Sequence, residues 1–128
     1  MGVLRGHAAA RVLVVDDDPS LRQVCRINLE LEGHKVLEAH SLAGAREALA
    51  EEDVDVVVLD VHLQRERSDA LVAECHDRRP PIPVLLVTGS VELTDPRLRE
   101  ADAILPKPFE LDQLVSTVRD LVQVHARR

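Results

Sequence analysis

Apolar residues fall along this chain in two alternating rhythms. Short, nearly unbroken runs occur at RVLVVD (11–16), KVLEA (35–39), DVVVLD (55–60), PVLLVTG (83–89) and ADAIL (101–105). Between most of them, apolar positions recur every three or four residues. Continuous β-branched runs bounded by turn residues predict strands covered on both faces, and the wider spacing predicts helices with one buried face. After the first run, Asp18-Pro19 supplies a helix cap and a first helical residue. Leu21, Val24, Cys25, Asn28 and Leu29 then keep helical spacing, and Gly33 closes the element. Ser41 heads a second helix with Leu42, Ala45 and Leu49 on its inner face. VHLQRER (61–67) is expected to be a polar loop leading to Ser68 and a third helix through Leu71, Val72 and Cys75, which RRPPIP (78–83) ends. Residues 91–101 carry a weak helical pattern interrupted by Pro96. Pro106-Lys107-Pro108 breaks the fifth strand. A final helix runs from Glu110 to Val124 with Leu111, Leu114, Val115, Val118, Leu121 and Val122 inward.

Strand–helix alternation of this kind predicts an α/β fold: a doubly wound, five-stranded parallel sheet with helices on both faces. No repeat, low-complexity tract or linker marks a second domain. Residues 10–126 are expected to form one domain, with 1–9 as an N-terminal tail. In open α/β sheets, ligands bind beyond the carboxyl ends of the strands. The residues at those ends are Asp16 and Asp17, Asp60, Thr88 and Lys107.

Composition narrows the function. The 128 residues are 45% hydrophobic with Phe109 the only aromatic, so the core must be aliphatic. A net charge of −7 argues against a non-specific nucleic-acid or membrane-surface binder, which needs a basic patch. No apolar stretch is long enough for a transmembrane helix, and MGVLRGHAAA lacks the apolar core of a secretory signal. A cytoplasmic setting is therefore expected. Cys25 and Cys75, without C-x-x-C spacing, are expected to be buried thiols rather than a disulfide. No H-x-x-x-H pair supports a zinc site. Only 2 lysines stand beside 14 arginines, which makes the setting of Lys107 more informative.

Three consecutive aspartates (16–18) at the end of an apolar run raise a physical question. Two unit charges about 4 Å apart repel by roughly 4 kcal/mol at an effective dielectric near 20. Either these acids splay into water, or a cation belongs among them. Each site residue has an ordinary reading alone: an acid after a strand is a common turn residue, Thr88 can belong to a turn with Gly89, and Lys107 can be a solvated loop charge. Together on one sheet edge they suit phosphoryl chemistry. Clustered carboxylates make a hard-oxygen site for Mg²⁺, and a carboxylate beside it can attack phosphorus. Thr88 can donate to one phosphoryl oxygen while Lys107 neutralises another.

The motifs VVDDDP, VVVLD, LLVTG and LPKPF, in that order, make the chain resemble the response-regulator receiver domain of bacterial two-component signalling across residues 10–125. The resemblance implies a flavodoxin-like fold, with Asp60 as phosphoacceptor. It implies Asp17 as a direct Mg²⁺ ligand, Asp16 acting mainly through water, and the backbone carbonyl of His62 as a further metal ligand. Thr88 becomes the switch hydroxyl and Lys107 the phosphate-pairing lysine, with a cis peptide at Lys107-Pro108. Asp18 is left to cap the first helix. The implied function is a stand-alone response regulator. It takes a phosphoryl group from a histidine kinase or histidine phosphotransfer protein and regulates a downstream protein partner. No direct nucleic-acid or membrane contact is implied, and no enzymatic activity beyond self-phosphorylation and autodephosphorylation at Asp60. The oligomeric state stays open.

The chain departs from the family at several positions. Leu63 and Gln64 stand where the family usually has Met-Pro. Ser68 replaces a glycine, and Ile104 an aromatic. The span from Thr88 to Lys107 is shorter than usual, so the fourth helix is expected to be short, displaced or irregular. His62 and Ser90 hold positions that flank the path of the hydrolytic water in receivers, with ordinary solvent-exposed loop residues as the alternative reading. Arg65-Glu66-Arg67 is expected to be a solvated face, with contact to an acidic kinase partner as its alternative. Two other functions compete. A pseudo-receiver, an interaction module that is not phosphorylated, is disfavoured by the intact acid set. A hydrolase of the haloacid-dehalogenase type needs a second aspartate where this chain has His62, and a cap insertion that it lacks.

Overall fold

A computed structural model describes residues 9–63, 66–89 and 99–126, with the backbone alone at 62, 63, 66, 67, 125 and 126. Strand β1 (Arg11–Val15) leads into helix α1 (Pro19–Leu31), followed by β2 (Lys35–Ala39), α2 (Leu42–Glu51) and β3 (Val56–Asp60). Two short strands, β4 (His62–Leu63) and β5 (Glu66–Arg67), precede α3 (Ser68–His76). Strands β6 (Val84–Thr88) and β7 (Ala103–Pro106) and helix α4 (Leu111–Ala126) complete the described elements. The five longer strands form one parallel sheet in the order β2-β1-β3-β6-β7. Successive strand residues point to opposite faces, which explains the unbroken apolar runs. Leu13, Val15, Val57, Leu59 and Leu86 pack with Leu42, Leu49, Leu71 and Cys75 from α2 and α3. Val12, Val14, Val58, Leu85 and Val87 pack with Cys25, Leu29, Leu114 and Val118 from α1 and α4.

Local signals set the helix ends as expected. The Asp18 carboxylate accepts hydrogen bonds from the backbone N–H groups of Ser20 and Leu21, and Pro19 opens α1. Gly33 has φ +95°, a left-handed conformation that favours glycine, and its N–H donates to the Glu30 carbonyl. Ser41 accepts from the Gly44 N–H at the start of α2.

Four details differ from expectation. Val24 is 40% exposed and belongs with Ile27 and Leu31 to the outer side of α1, because only Cys25 and Leu29 reach full burial on that helix. The polar loop after β3 contains an antiparallel pairing, His62 with Arg67 and Leu63 with Glu66. Strand β7 begins at Ala103 and includes Pro106 opposite Thr88. An edge strand tolerates a proline because its missing N–H costs no ladder bond on the open side. A second cis X-Pro bond, Arg79-Pro80, accompanies the one at Lys107-Pro108. Ser90, Arg65 and most of the 91–101 segment, including Pro96, lie outside the described residues. Among the described residues no helix is long and apolar enough to cross a membrane.

Candidate functional site

The final rungs of the sheet fix the residues that the sequence singles out. Beyond β1, the Asp16 N–H donates to the Ala39 carbonyl at the end of β2 (3.1 Å). Beyond β3, the Val61 N–H donates to Val87 (3.0 Å), and the Lys107 N–H donates to Thr88 (2.7 Å). Because all five strands run parallel, Asp16, Asp17, Asp60, Thr88 and Lys107 arrive at one edge.

Asp16, Asp17 and Asp60 each present a carboxylate oxygen within 4.8 Å of the others, an arrangement able to hold a metal ion. Asp16 and Asp60 are buried, each 4% exposed, and Asp17 is half-buried. The Asp16 carboxylate accepts from the Asp18 N–H (2.9 Å), and Arg22 Nη1 donates to the Asp16 carbonyl (2.7 Å). Arg22 is itself held by Glu38 through its Nε (3.2 Å). Burial pushes the Asp16 carboxyl up from 3.8 to about 6. The Asp18 N–H opposes that rise, the Asp60 charge adds to it, Lys107 opposes it and Asp17 adds again. Protonation thus competes with a cation for this cluster.

Lys107 Nζ approaches Asp60 Oδ2 at 3.4 Å. Thr88 is fully buried, and its hydroxyl donates to the Gly89 carbonyl (3.1 Å). His62 opens β4 two residues after Asp60. Asp18 stands apart from the cluster in role, since its carboxylate is committed to capping α1. Both cysteines are free and buried on opposite sides of the sheet, and burial pushes both thiols up to about 11.

One residue at the site carries no signal in the sequence pattern beyond its position. Ser68, at the start of α3, is buried, and its hydroxyl lies 3.0 Å from both the Asp60 and the Val61 carbonyls. Its occurrence at a place usually held by glycine was the available clue. Which groups the hydroxyl meets depends on the turn that brings it back beneath β3.

The fold matches known proteins. The family model described as response regulator receiver domain matches residues 12–119. Transcriptional regulatory protein GlrR of Escherichia coli (strain K12) is 30% identical over 94% of this chain, which spans 28% of the GlrR length. A solved CheY-like response regulator receiver domain protein from Methanospirillum hungatei JF-1 is 25% identical. It superposes with a TM-score of 0.83, covering 94% of this chain and 98% of that one. The response regulator protein TrrA from Thermotoga maritima, solved in complex with Mg(2+)-BeF, is 26% identical with a TM-score of 0.79, covering 88% and 98%. With the family matched over residues 12–119 and the five-stranded parallel sheet shared with solved receiver domains, this chain belongs to the response regulator receiver domains of two-component signalling.

Proposed function

We propose that this receiver accepts a phosphoryl group on Asp60 from a phosphohistidine of a histidine kinase or histidine phosphotransfer protein. The carrying observation is the setting of Asp60: a buried carboxylate with Asp16 and Asp17 within 4.8 Å and the Lys107 ammonium at 3.4 Å. Three hard carboxylate donors, two of them buried against like charge, fit Mg²⁺, which keeps several waters and takes few protein ligands. Asp16, Asp17, Asp60 and the His62 carbonyl would hold it, Asp16 mainly through water. When bound, Mg²⁺ supplies positive charge that offsets the carboxylates and the incoming phosphoryl oxygens. TrrA, a similar protein solved with Mg(2+)-BeF, supports this reading.

In the transfer, an Asp60 carboxylate oxygen forms a bond to phosphorus as the phosphorus–nitrogen bond to the donor imidazole breaks. The imidazole nitrogen keeps that electron pair and takes up a proton. Lys107 neutralises a phosphoryl oxygen. The Thr88 hydroxyl turns its proton from the Gly89 carbonyl to another phosphoryl oxygen, which couples the site to the chain after β6. Attack by water on phosphorus returns Asp60 to the free carboxylate. The rest of the activity is regulation of a downstream protein partner by residues 10–126. Two buried free thiols support a reducing, cytoplasmic setting.

Incubation with acetyl phosphate and Mg²⁺, followed by intact-protein mass spectrometry, tests the reading. One phosphate is expected on the wild type and none on Asp60→Asn. An unmodified wild type, or labelling that persists in Asp60→Asn, overturns it.

A further inference from the structure

The chain leaves β3 at Asp60, runs through Val61 into β4 and returns antiparallel through β5. The pairing of His62 with Arg67 brings residue 68 back beside residue 61. Ser68 is 5% exposed there, with its Oγ 3.0 Å from the Asp60 carbonyl and 3.0 Å from the Val61 carbonyl. A hydroxyl has one proton, so the two carbonyls share it. On the other side of the same turn, the Val61 N–H donates to Val87 across the last rung of the sheet. The peptides between Asp60 and His62 are therefore gripped from both sides. Rotation about the Val61 backbone would break one grip or the other, and losing the Ser68 hydroxyl leaves the buried Asp60 carbonyl without this partner.

We infer that Ser68 is a positioning residue: its hydroxyl locks the turn joining Asp60 to His62, and so sets the direction of the His62 carbonyl relative to the carboxylates. This rests on the cation site proposed above. A glycine, usual at this position in the family, has no hydroxyl to offer. Groups that orient ligands from behind commonly change metal affinity by about 10–100-fold when removed.

Ser68→Ala deletes the lock, and Ser68→Thr keeps a hydroxyl in place. Ser68→Gly deletes it with the residue the family usually carries, should the alanine variant not fold. Two readouts apply: hydrogen exchange of the Val61 amide in metal-free protein, and Mg²⁺ affinity by isothermal titration. Ser68→Ala is expected to exchange the Val61 amide faster and to bind Mg²⁺ about 10-fold more weakly, with Ser68→Thr close to wild type in both. Equal Mg²⁺ affinity and equal Val61 protection in Ser68→Ala overturn the inference while leaving the cation site standing. So do equal losses in the alanine and threonine variants, which would indicate packing instead. A wild type that binds no Mg²⁺ overturns the cation site itself, and this role with it.

Discussion

Lys107 holds its Nζ 3.4 Å from Oδ2 of Asp60, and the two partners meet water very differently: the Asp60 side chain is 5% exposed and that of Lys107 is 36%. The lysine reaches in from the solvent side of the sheet edge toward a carboxylate set in the core. Solvent screens its half of the pair, so the pair contributes little to stability. Its charge nevertheless stands where a phosphoryl group on Asp60 would place an oxygen. Lys107→Ala should lower stability by about 1 kcal/mol or less. It should also remove most of the spectral change produced by beryllofluoride and Mg²⁺. Thermal melts and amide spectra of the variant measure the two effects separately; a beryllofluoride response of wild-type size would contradict the assigned role.

Asp16 predicts how metal-free stability depends on pH. Burial, reinforced by the Asp60 and Asp17 charges, raises its carboxyl to about 6 in the folded protein. The ordinary value is 3.8, so between these two the folded state binds more protons than the unfolded one. Stability from this group is present below pH 3.8, declines as pH rises toward about 6 and levels off above it. Asp16→Asn removes the charge. Its stability advantage over wild type in metal-free buffer should grow across that window and hold constant at higher pH. The same variant should lose the rise in melting temperature that millimolar Mg²⁺ gives the wild type. Melts recorded from pH 4 to 8 with and without Mg²⁺ check both; a metal-free Asp16→Asn less stable than wild type at pH 8 would refute the argument.

The third aspartate has a separate job. Asp18 caps α1 through the Ser20 and Leu21 N–H groups. Its replacement by alanine should cost about 1 kcal/mol, as N-cap losses do, while Asp18→Asn should be close to neutral. Neither variant should change the extent of Asp60 phosphorylation by acetyl phosphate. Chemical denaturation gives the first comparison and intact mass the second. A phosphorylation defect in a folded Asp18→Asn would place this residue among the functional acids.

Ile104 bears on how a signal leaves the site. It lies on the edge strand β7 and is 37% exposed, where the family usually carries an aromatic. A β-branched side chain is stiff at χ1 and has no ring to swing. Thr88 is fully buried and hydrogen-bonded to Gly89, and a phosphoryl oxygen would draw its proton away. On adding beryllofluoride and Mg²⁺, the Thr88 methyl resonance should shift strongly while Ile104 keeps its rotamer. The response should be local rather than a tight dimer built on the face formed by edge strand β7. Methyl spectra and sedimentation decide it: a rotamer change at Ile104, or a phosphate-dependent dimer through this face, would contradict the expectation.

Features that depend on neighbours along the chain are written directly in the residue types. The Asp18-Pro19 start and the Gly33 stop of α1 are local hydrogen-bond and φ requirements, so the residue types state them directly. The apolar runs state which segments are strands, but only β1, β3 and β6 lie buried on both faces, while the edge strands β2 and β7 are partly exposed. Once strands alternate with helices, chain direction alone sends Asp16, Asp17, Asp60, Thr88 and Lys107 to one edge, which is why the candidate cluster was legible without coordinates. Features that depend on distance through space emerge only when the chain packs. Helical spacing lists Val24 with Cys25, but only packing against the sheet shows that Val24 faces out. Burial to 4% turns Asp16 from an ordinary turn acid into one that titrates near 6. The Ser68 hydroxyl meets the Asp60 and Val61 carbonyls because the β4–β5 pairing sets Arg67 opposite His62. Burial and hydrogen-bond partners arise from atoms far apart in the chain, and no local pattern of residue types encodes them.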